Sequence, residues 1–91
     1  MEIEIAHIVM SLNGRDKGKR FIIIGTEEEF SLLADGKGRK IEKPKRKKNK
    51  HMKSEGLIDN QIAEKLRFSQ KVTNSEIRRA LAEYTATRNV K

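Results

Sequence analysis

The fold is indicated by residues 8–25, whose sequence is IVMSLNGRDKGKRFIIIG. Residues 21–24 are one phenylalanine followed by three isoleucines, a composition typical of a buried strand. The preceding residues 4–12 alternate at first and then become mostly apolar, which predicts a strand with one deeply buried face. Asn13-Gly14 is a strong turn signal, and Gly18 provides a second position where positive φ has no steric cost. The stretch therefore predicts two strands joined by a polar loop.

Three further strands are predicted from the residues that follow. Residues 30–34 form the third, which ends at Asp35-Gly36, a dipeptide favoured in two-residue hairpins. Residues 38–42 form the fourth, and residues 45–52 form a short fifth strand that its like charges keep extended. Pro44 limits this last segment to an edge or a bend, because proline lacks a donor for the ladder. Short strands with tight turns predict a small β-barrel.

The last third of the chain has helical rather than strand periodicity. Apolar residues recur at helical spacing over about residues 55–68 and again over about residues 74–86, which predicts two short helices. The second helix begins with the capping-box pattern Thr73-x-x-Glu76. The apolar stripes fit either packing on the barrel or an apolar surface for a partner. We therefore expect a barrel with a basic final strand over residues 1–53 and a helical extension over residues 54–91.

The charge distribution favours a polyanionic partner. The formal net charge is +8, and residues 37–53 alone contain ten basic side chains and one acidic side chain. A field of one sign concentrated on one segment attracts nucleic acid above all. The chain has no cysteine, which excludes disulfides and thiol chemistry, and no stretch approaches the roughly 20 apolar residues needed to span a bilayer. We expect a cytoplasmic protein that does not bind membranes.

The residues do not assemble into a recognisable catalytic, cofactor or metal site. Gly18-Lys19 is followed by Arg20, so the Ser or Thr that a P-loop needs for Mg²⁺ is missing. His7 and His51 lie far apart in sequence without a further obvious ligand, and the adjacent acidic residues 27–29 are more typical of a solvated loop than of an ion site. No nucleophile has an evident general base. We expect no enzymatic activity and no cofactor.

Residues 8–25 resemble the KOW motif of ribosomal proteins and transcription-elongation factors, with Gly18 at the central glycine of the motif. The sequence departs from many KOW motifs at Arg20 and Phe21, where those sequences carry a further glycine. Other stretches resemble bacterial relatives of the archaeal and eukaryotic type of KOW protein in the large ribosomal subunit; they are residues 32–36, 39–45, 48–52 and 72–81. This resemblance implies an SH3-like barrel, a non-catalytic RNA-binding role and a place on or near the large ribosomal subunit.

The residues and the resemblance together define a candidate RNA-binding set. A loop rich in cations can offer side chains and backbone amides to phosphates, and Gly18 allows close approach. The set comprises Arg15, Lys17, Gly18, Lys19, Arg20, Lys37, Arg39, Lys40, Lys43, Lys45, Arg46, Lys47, Lys48 and Lys50. Because aromatic residues make up only 4% of the chain, shape recognition of structured RNA is favoured over the reading of individual bases.

Less specific interpretations of the same residues remain open. The basic run over residues 43–50 also fits a solvated segment that contributes only solubility, and the loop over residues 14–20 also fits an ordinary hairpin turn. The expected partner is ribosomal RNA of the large subunit, with ribosomal proteins as further candidates, and we expect a monomer away from the ribosome. The alternative function is a KOW-type protein-interaction module of the transcription or translation machinery, in which the basic segment is an auxiliary tether for nucleic acid.

Overall fold

The computed structural model describes residues 4–57 and 60–88, which form a mainly β structure followed by two helices. The elements are β1 (His7–Ser11), β2 (Arg20–Glu27), β3 (Phe30–Ala34), β4 (Lys45–Lys48), a one-turn 3-10 helix (Asn49–His51), β5 (Met52–Leu57), α1 (Asn60–Arg67) and α2 (Asn74–Arg88). Residues 58, 59 and 89–91 of the predicted helical extension lie outside the described residues. The predicted class, mainly β with a C-terminal pair of helices, is confirmed.

The five strands form one antiparallel sheet in the order β4-β3-β2-β1-β5. The pairing is irregular at two places, between Ile8 and Val9 in β1 and between Ile23 and Gly25 in β2. Such irregularities bend a strand and increase its twist. Among the described strands no pairing joins β4 to β5, so the sheet is not closed and its hydrogen bonding alone does not define a barrel.

The middle strand β2 is buried on both faces, which explains its uninterrupted apolar sequence. Alternate side chains of a strand point to opposite faces, so neighbouring residues of β2 belong to two different clusters. The inner cluster consists of Val9, Phe21, Ile23, Leu33 and Met52. The helix-facing cluster consists of Ala6, Ile8, Ile22, Ile62, Ala63, Val72, Ile77 and Ala80. The apolar stripes of both helices therefore pack on the sheet.

The predicted fourth strand over residues 38–42 was wrong, because this segment is an irregular loop docked on α2. Three backbone amides in and next to this segment donate to side chains instead of to a neighbouring strand. The carboxylate Oδ1 of Asp35 accepts from the amides of Lys37 and Arg39, each at 2.9 Å. The side-chain Oδ1 of Asn74, at the start of α2, accepts from the amide of Ile41 at 2.8 Å. The amides of Arg39 and Ile41 are therefore not available to a strand ladder.

The predicted start of the first helix at about residue 55 was also wrong. Residues 55–57 belong to β5, which pairs with β1 along the edge that β2 leaves free, and α1 begins at Asn60. The predicted fifth strand over residues 45–52 is divided by the 3-10 helix between β4 and β5. The expected division between residues 53 and 54 thus falls inside β5. Pairing with a strand distant in sequence overrode the local helical pattern here.

The predicted capping box at the start of α2 is confirmed. The amide of Glu76 donates to Thr73 Oγ1 at 3.1 Å, and the amide of Thr73 donates to Glu76 Oε1 at 2.9 Å. Lys65 of α1 lies 2.7 Å from the other carboxylate oxygen of Glu76 and so ties the two helices together. The hydrogen bond from Lys65, followed by that from the Thr73 amide, lowers the pKa of Glu76 from 4.5 to about 2.

We expect Glu76 to contribute to the loss of folding stability at acid pH. Its pKa is lower in the folded chain, so its contribution is present above pH 4.5 and is lost as the pH falls toward about 2. Glu76→Gln should therefore be less stable than the parent at neutral pH and should lose less stability between those pH values. Urea unfolding at a series of pH values measures this. Glu64→Gln, a change at an exposed position of α1, is the control. If Glu76→Gln lost as much stability as the parent at acid pH, that result would contradict the assignment.

Candidate nucleic-acid interface

The loop between β1 and β2 is closed at its base and exposes three cations. The amide of Gly18 donates to the Ser11 carbonyl at 2.9 Å, and the amide of Ser11 donates to the Lys19 carbonyl at 3.0 Å. Gly18 has φ +87°, which a residue with a side chain rarely adopts. Arg15, Lys17 and Lys19 are exposed. The loop therefore projects positive charge from a backbone that its own hydrogen bonds hold in place.

The loop between β3 and β4 carries four more exposed cations, which are Lys37, Arg39, Lys40 and Lys43. Its position relative to α2 is set by Gly36. The guanidinium of Arg78 donates through Nη1 to the Gly36 carbonyl at 2.7 Å, and Gly36 is buried with φ +78°. A cation of α2 is thus fixed next to the cations of this loop.

These two loops and α2 surround an open cavity of about 560 Å³, which we call the basic groove. It is lined by Lys19, Arg20, Asp35, Lys37, Arg78, Leu81, Ala82, Thr85 and Ala86. The α2 members have the spacing of a single helix face, and most of them are apolar. Four cations and one carboxylate therefore share the groove with an apolar strip. Its volume lies within the range of about 300–1,000 Å³ that is common for small-ligand sites.

Arg20 is held in the groove by contacts with two other elements. Its Nε lies 2.7 Å from Glu55 Oε1 in β5, and its guanidinium carbon lies 5.7 Å from the centre of the Tyr84 ring in α2. A guanidinium has five N–H donors, more than one carboxylate oxygen accepts. Arg20 is therefore oriented with donors left over, while the ion pair with Glu55 offsets part of its charge, as the ion pairs of β4 do.

Asp16 lies among cations from three segments next to the groove. Its carboxylate contacts Lys45 Nζ at 2.8 Å. This hydrogen bond lowers the pKa of Asp16, with smaller contributions from the charges of Lys45, Lys19 and Arg39. Lys19 and Arg39 are thus close enough to Asp16 to affect its ionisation, although they come from different loops. Positive charge is concentrated at the end of the sheet where β1 and β3 end and β2 and β4 begin.

The predicted site residues in β4 have intramolecular contacts. Besides the ion pair of Lys45, the ammonium of Lys47 donates to Asn13 Oδ1 at 3.1 Å. Arg46 Nε contacts Glu27 at 2.7 Å, and its guanidinium carbon lies 3.6 Å from the centre of the Phe30 ring. These three side chains connect β4 to its neighbours, so only part of their charge is available to a partner.

The remaining basic residues of this region lie beside the acidic turn between β2 and β3. Lys48 and Lys50 are exposed and border small surface clefts that also contain Glu28 and Glu29. The negative charge of this turn reduces the positive field there. The structure therefore divides the predicted set. Lys19, Arg20 and Lys37 line the groove. The other cations of both loops and Lys45 lie at the same end of the sheet, and Lys47 reaches that end through Asn13. Arg46, Lys48 and Lys50 lie toward the opposite end.

The sequence prediction missed the contribution of α2. Arg78 and the strip of Leu81, Ala82, Thr85 and Ala86 line the groove, but none was in the predicted set. The only signal in the sequence was the pair Arg78-Arg79, in a helix whose apolar stripe fitted either packing on the barrel or a surface for a partner. The loop residues that line the groove with Arg78, such as Lys19 and Lys37, are about forty or more positions away from it in the sequence, so no local pattern connects them.

Comparison with known proteins assigns no family. The chain matches no protein-family model, and no curated protein matches it significantly. Within residues 4–57 and 60–88 no group of three or more His, Asp or Glu side chains is placed to hold a metal ion. Neither helix, as far as it is described, is long and apolar enough to cross a membrane.

Proposed function

We propose that the protein is a non-catalytic RNA-binding protein of the cytoplasm that associates with ribosomal RNA of the large subunit. The observation that carries this proposal is the convergence of Lys19, Arg20, Lys37 and Arg78, from three separate segments, on one groove. Further exposed cations of both loops lie at the same end of the sheet. Spaced cations on a rigid support suit the regular negative charge of a nucleic-acid backbone.

The arginines and the lysines of the groove suit different kinds of phosphate contact. Arg20 and Arg78 are held by hydrogen bonds to Glu55 and to the Gly36 carbonyl. An oriented guanidinium loses little freedom when it binds a phosphate and can donate to two oxygens. Lys19 and Lys37 are exposed and have no hydrogen-bond or ion-pair partner through their ammonium groups in the described part of the chain. Their flexible side chains can follow phosphates whose positions vary.

We further propose that the curved sheet is an SH3-like barrel of the KOW type that stays open between β4 and β5. Three observations support it. A single 3-10 turn joins the two edge strands, the contacts of Lys45 and Lys47 bring β4 to the loop between β1 and β2, and both β1 and β2 are irregular. In this arrangement the KOW loop, expected over residues 14–20, contributes Lys19 and Arg20 to the basic groove.

Binding to a fluorescently labelled RNA hairpin tests the function. If about four phosphates are contacted, the logarithm of the association constant should fall with the logarithm of salt concentration with a slope of about −3 to −4. This slope corresponds to a loss of roughly 100-fold between about 50 and 200 mM salt. Fluorescence anisotropy in titrations at several salt concentrations measures it. Absence of binding at low salt, or affinity independent of salt, would refute the proposal.

The apolar strip of α2 in the groove favours a second candidate function, a protein-interaction module of the transcription or translation machinery. Capture of partners from a lysate before and after thorough nuclease treatment distinguishes the RNA-binding function from the protein-interaction function. Under the RNA-binding proposal the co-purifying material is RNA together with ribosomal proteins that nuclease releases. Protein partners that remain at full yield after nuclease treatment would support the second function instead.

A further inference from the structure

The basic groove differs from a simple phosphate-binding surface because one side of it is apolar. Leu81, Ala82 and Ala86 lie on the same face of α2 as Arg78, and all four line the groove together with Lys19 and Lys37. Ala82 and Ala86 are exposed. A phosphate backbone alone has no use for an apolar strip between its cations, so the groove has the character of a site for a ligand that joins an anion to a flat apolar group.

We infer that the basic groove holds a single unpaired nucleotide of a folded RNA, with its phosphate at Lys19 and Lys37 and its base against Ala82 and Ala86. This inference rests on the proposed RNA-binding function and adds to it the part of the RNA that the groove selects. Small side chains on α2 leave room for a planar ring, and the open groove, at about 560 Å³, has a volume in the range of small-ligand sites.

The polar residues of the groove indicate that the ligand has hydrogen-bond donors as well as an anion. Oδ1 of Asp35 accepts two backbone amides, while its second carboxylate oxygen has no hydrogen-bond partner in the described part of the chain. That oxygen can accept a hydrogen bond from a ribose hydroxyl or from an amino group of a base. Thr85 also lines the groove and offers a hydroxyl. A carboxylate among four cations is unfavourable for a bare phosphate site, but it suits a ligand that has donors as well as an anion.

A base that is paired and stacked within an A-form helix cannot reach such a strip, whereas a base in a bulge or loop can leave the stack. The protein should therefore prefer a hairpin that contains one bulged nucleotide over the same hairpin with full pairing. The expected preference is roughly tenfold, which corresponds to the removal of about 55 Å² of apolar surface from water. Equal affinity for the two hairpins would overturn the inference.

Titration with small probes locates the base in the groove. AMP is compared with ribose 5-phosphate, which has the same phosphate and sugar but no base, by NMR of the methyl groups of Ala82 and Ala86. AMP should shift both methyl signals and bind roughly tenfold more tightly than ribose 5-phosphate, because only AMP buries a base against the apolar strip. Equal binding of the two probes, or AMP binding that leaves both methyl signals unmoved, would overturn the inference. So would tighter binding in the groove by a short glutamate-rich peptide with one phenylalanine, because that result indicates a protein partner.

A matched pair of variants separates the apolar contact from charge. Ala82→Leu fills the space against α2 without changing any charge, and Thr87→Leu adds a leucine to an exposed position of the same helix outside the groove. We expect Ala82→Leu to bind the bulged hairpin roughly tenfold more weakly, with an unaltered salt slope, and to lose the preference for the bulge. Thr87→Leu should bind as the parent does.

The outcomes distinguish this inference from the proposed function. Salt-dependent RNA binding that Ala82→Leu leaves unchanged would keep the proposed function and overturn the inference. Absence of RNA binding by the parent protein would remove the function and the inference with it, even if AMP still binds. Thermal unfolding of both leucine variants shows that each is folded at the temperature of the measurement.

Discussion

Replacing both lysines of the basic groove, as Lys19→Glu with Lys37→Glu, should weaken binding to the RNA hairpin by roughly 100-fold or more. This magnitude corresponds to the loss of two charge-assisted contacts of about 1.5 kcal/mol each. Both side chains are exposed and have no ion pair in the described part of the chain, so the fold should tolerate the change. The salt slope should become less steep by about two, because each lysine releases about one counterion when it meets a phosphate. Anisotropy titrations at several salt concentrations measure both effects.

A matched control is Lys48→Glu with Lys50→Glu, which changes the net charge by the same amount beside the acidic turn. Both of these lysines were predicted from sequence as RNA-binding residues, and both are exposed. If general attraction alone governs binding, the two double variants should lose the same affinity. We expect a clearly smaller loss in the control, since Glu28 and Glu29 border the same clefts and reduce the local field. A larger loss in the control would move the interface to that end of the sheet.

Gly36→Ala should destabilise the loop between β3 and β4 far more than alanine at its other glycine, Gly38. Gly36 has φ +78°, and an added Cβ would lie 2.5 Å from the Asn74 carbonyl oxygen and 2.8 Å from Cγ of Arg78. Backbone strain of this kind costs about 1–3 kcal/mol, and the collision with backbone oxygen places the expected loss at the upper end of that range. The loop would have to move away from α2, which would also break the hydrogen bond that positions Arg78. Urea unfolding measures the stability, and RNA titration measures the effect on the groove.

Substitutions at two other glycines separate the cost of backbone strain from the cost of the steric collision. Gly14 has φ +78° as well, but nothing lies within 4 Å of an added Cβ, so Gly14→Ala reports the backbone strain alone, at about 1–2 kcal/mol. Gly38 has open space and no positive φ, so Gly38→Ala should change stability by no more than about 0.5 kcal/mol. Equal stability of the Gly36→Ala and Gly38→Ala variants would show that the loop does not dock on α2 as described.

Local patterns in the sequence predicted the elements whose residues are close together in the chain. The apolar run over residues 21–24, the turn signals around Gly18 and the capping box at Thr73 correspond to β2, the loop before it and the start of α2. Each depends on side chains within a few positions of one another. The basic segment over residues 37–53 was equally visible, but charge along a sequence does not indicate direction in space. Its members proved to lie at two ends of the sheet.

Long-range contacts accounted for the features that the sequence did not reveal. Residues 38–42 form a loop because Asn74 and Arg78 bind it, and residues 55–57 form a strand because β1 offers them an edge. The basic groove likewise depends on three segments that approach only when α2 packs on the sheet. Alternation, turn chemistry and net charge are properties of neighbouring residues and can be read along the chain. The meeting of Lys19, Lys37 and Arg78 depends instead on burial of the helix-facing cluster, which no local pattern encodes.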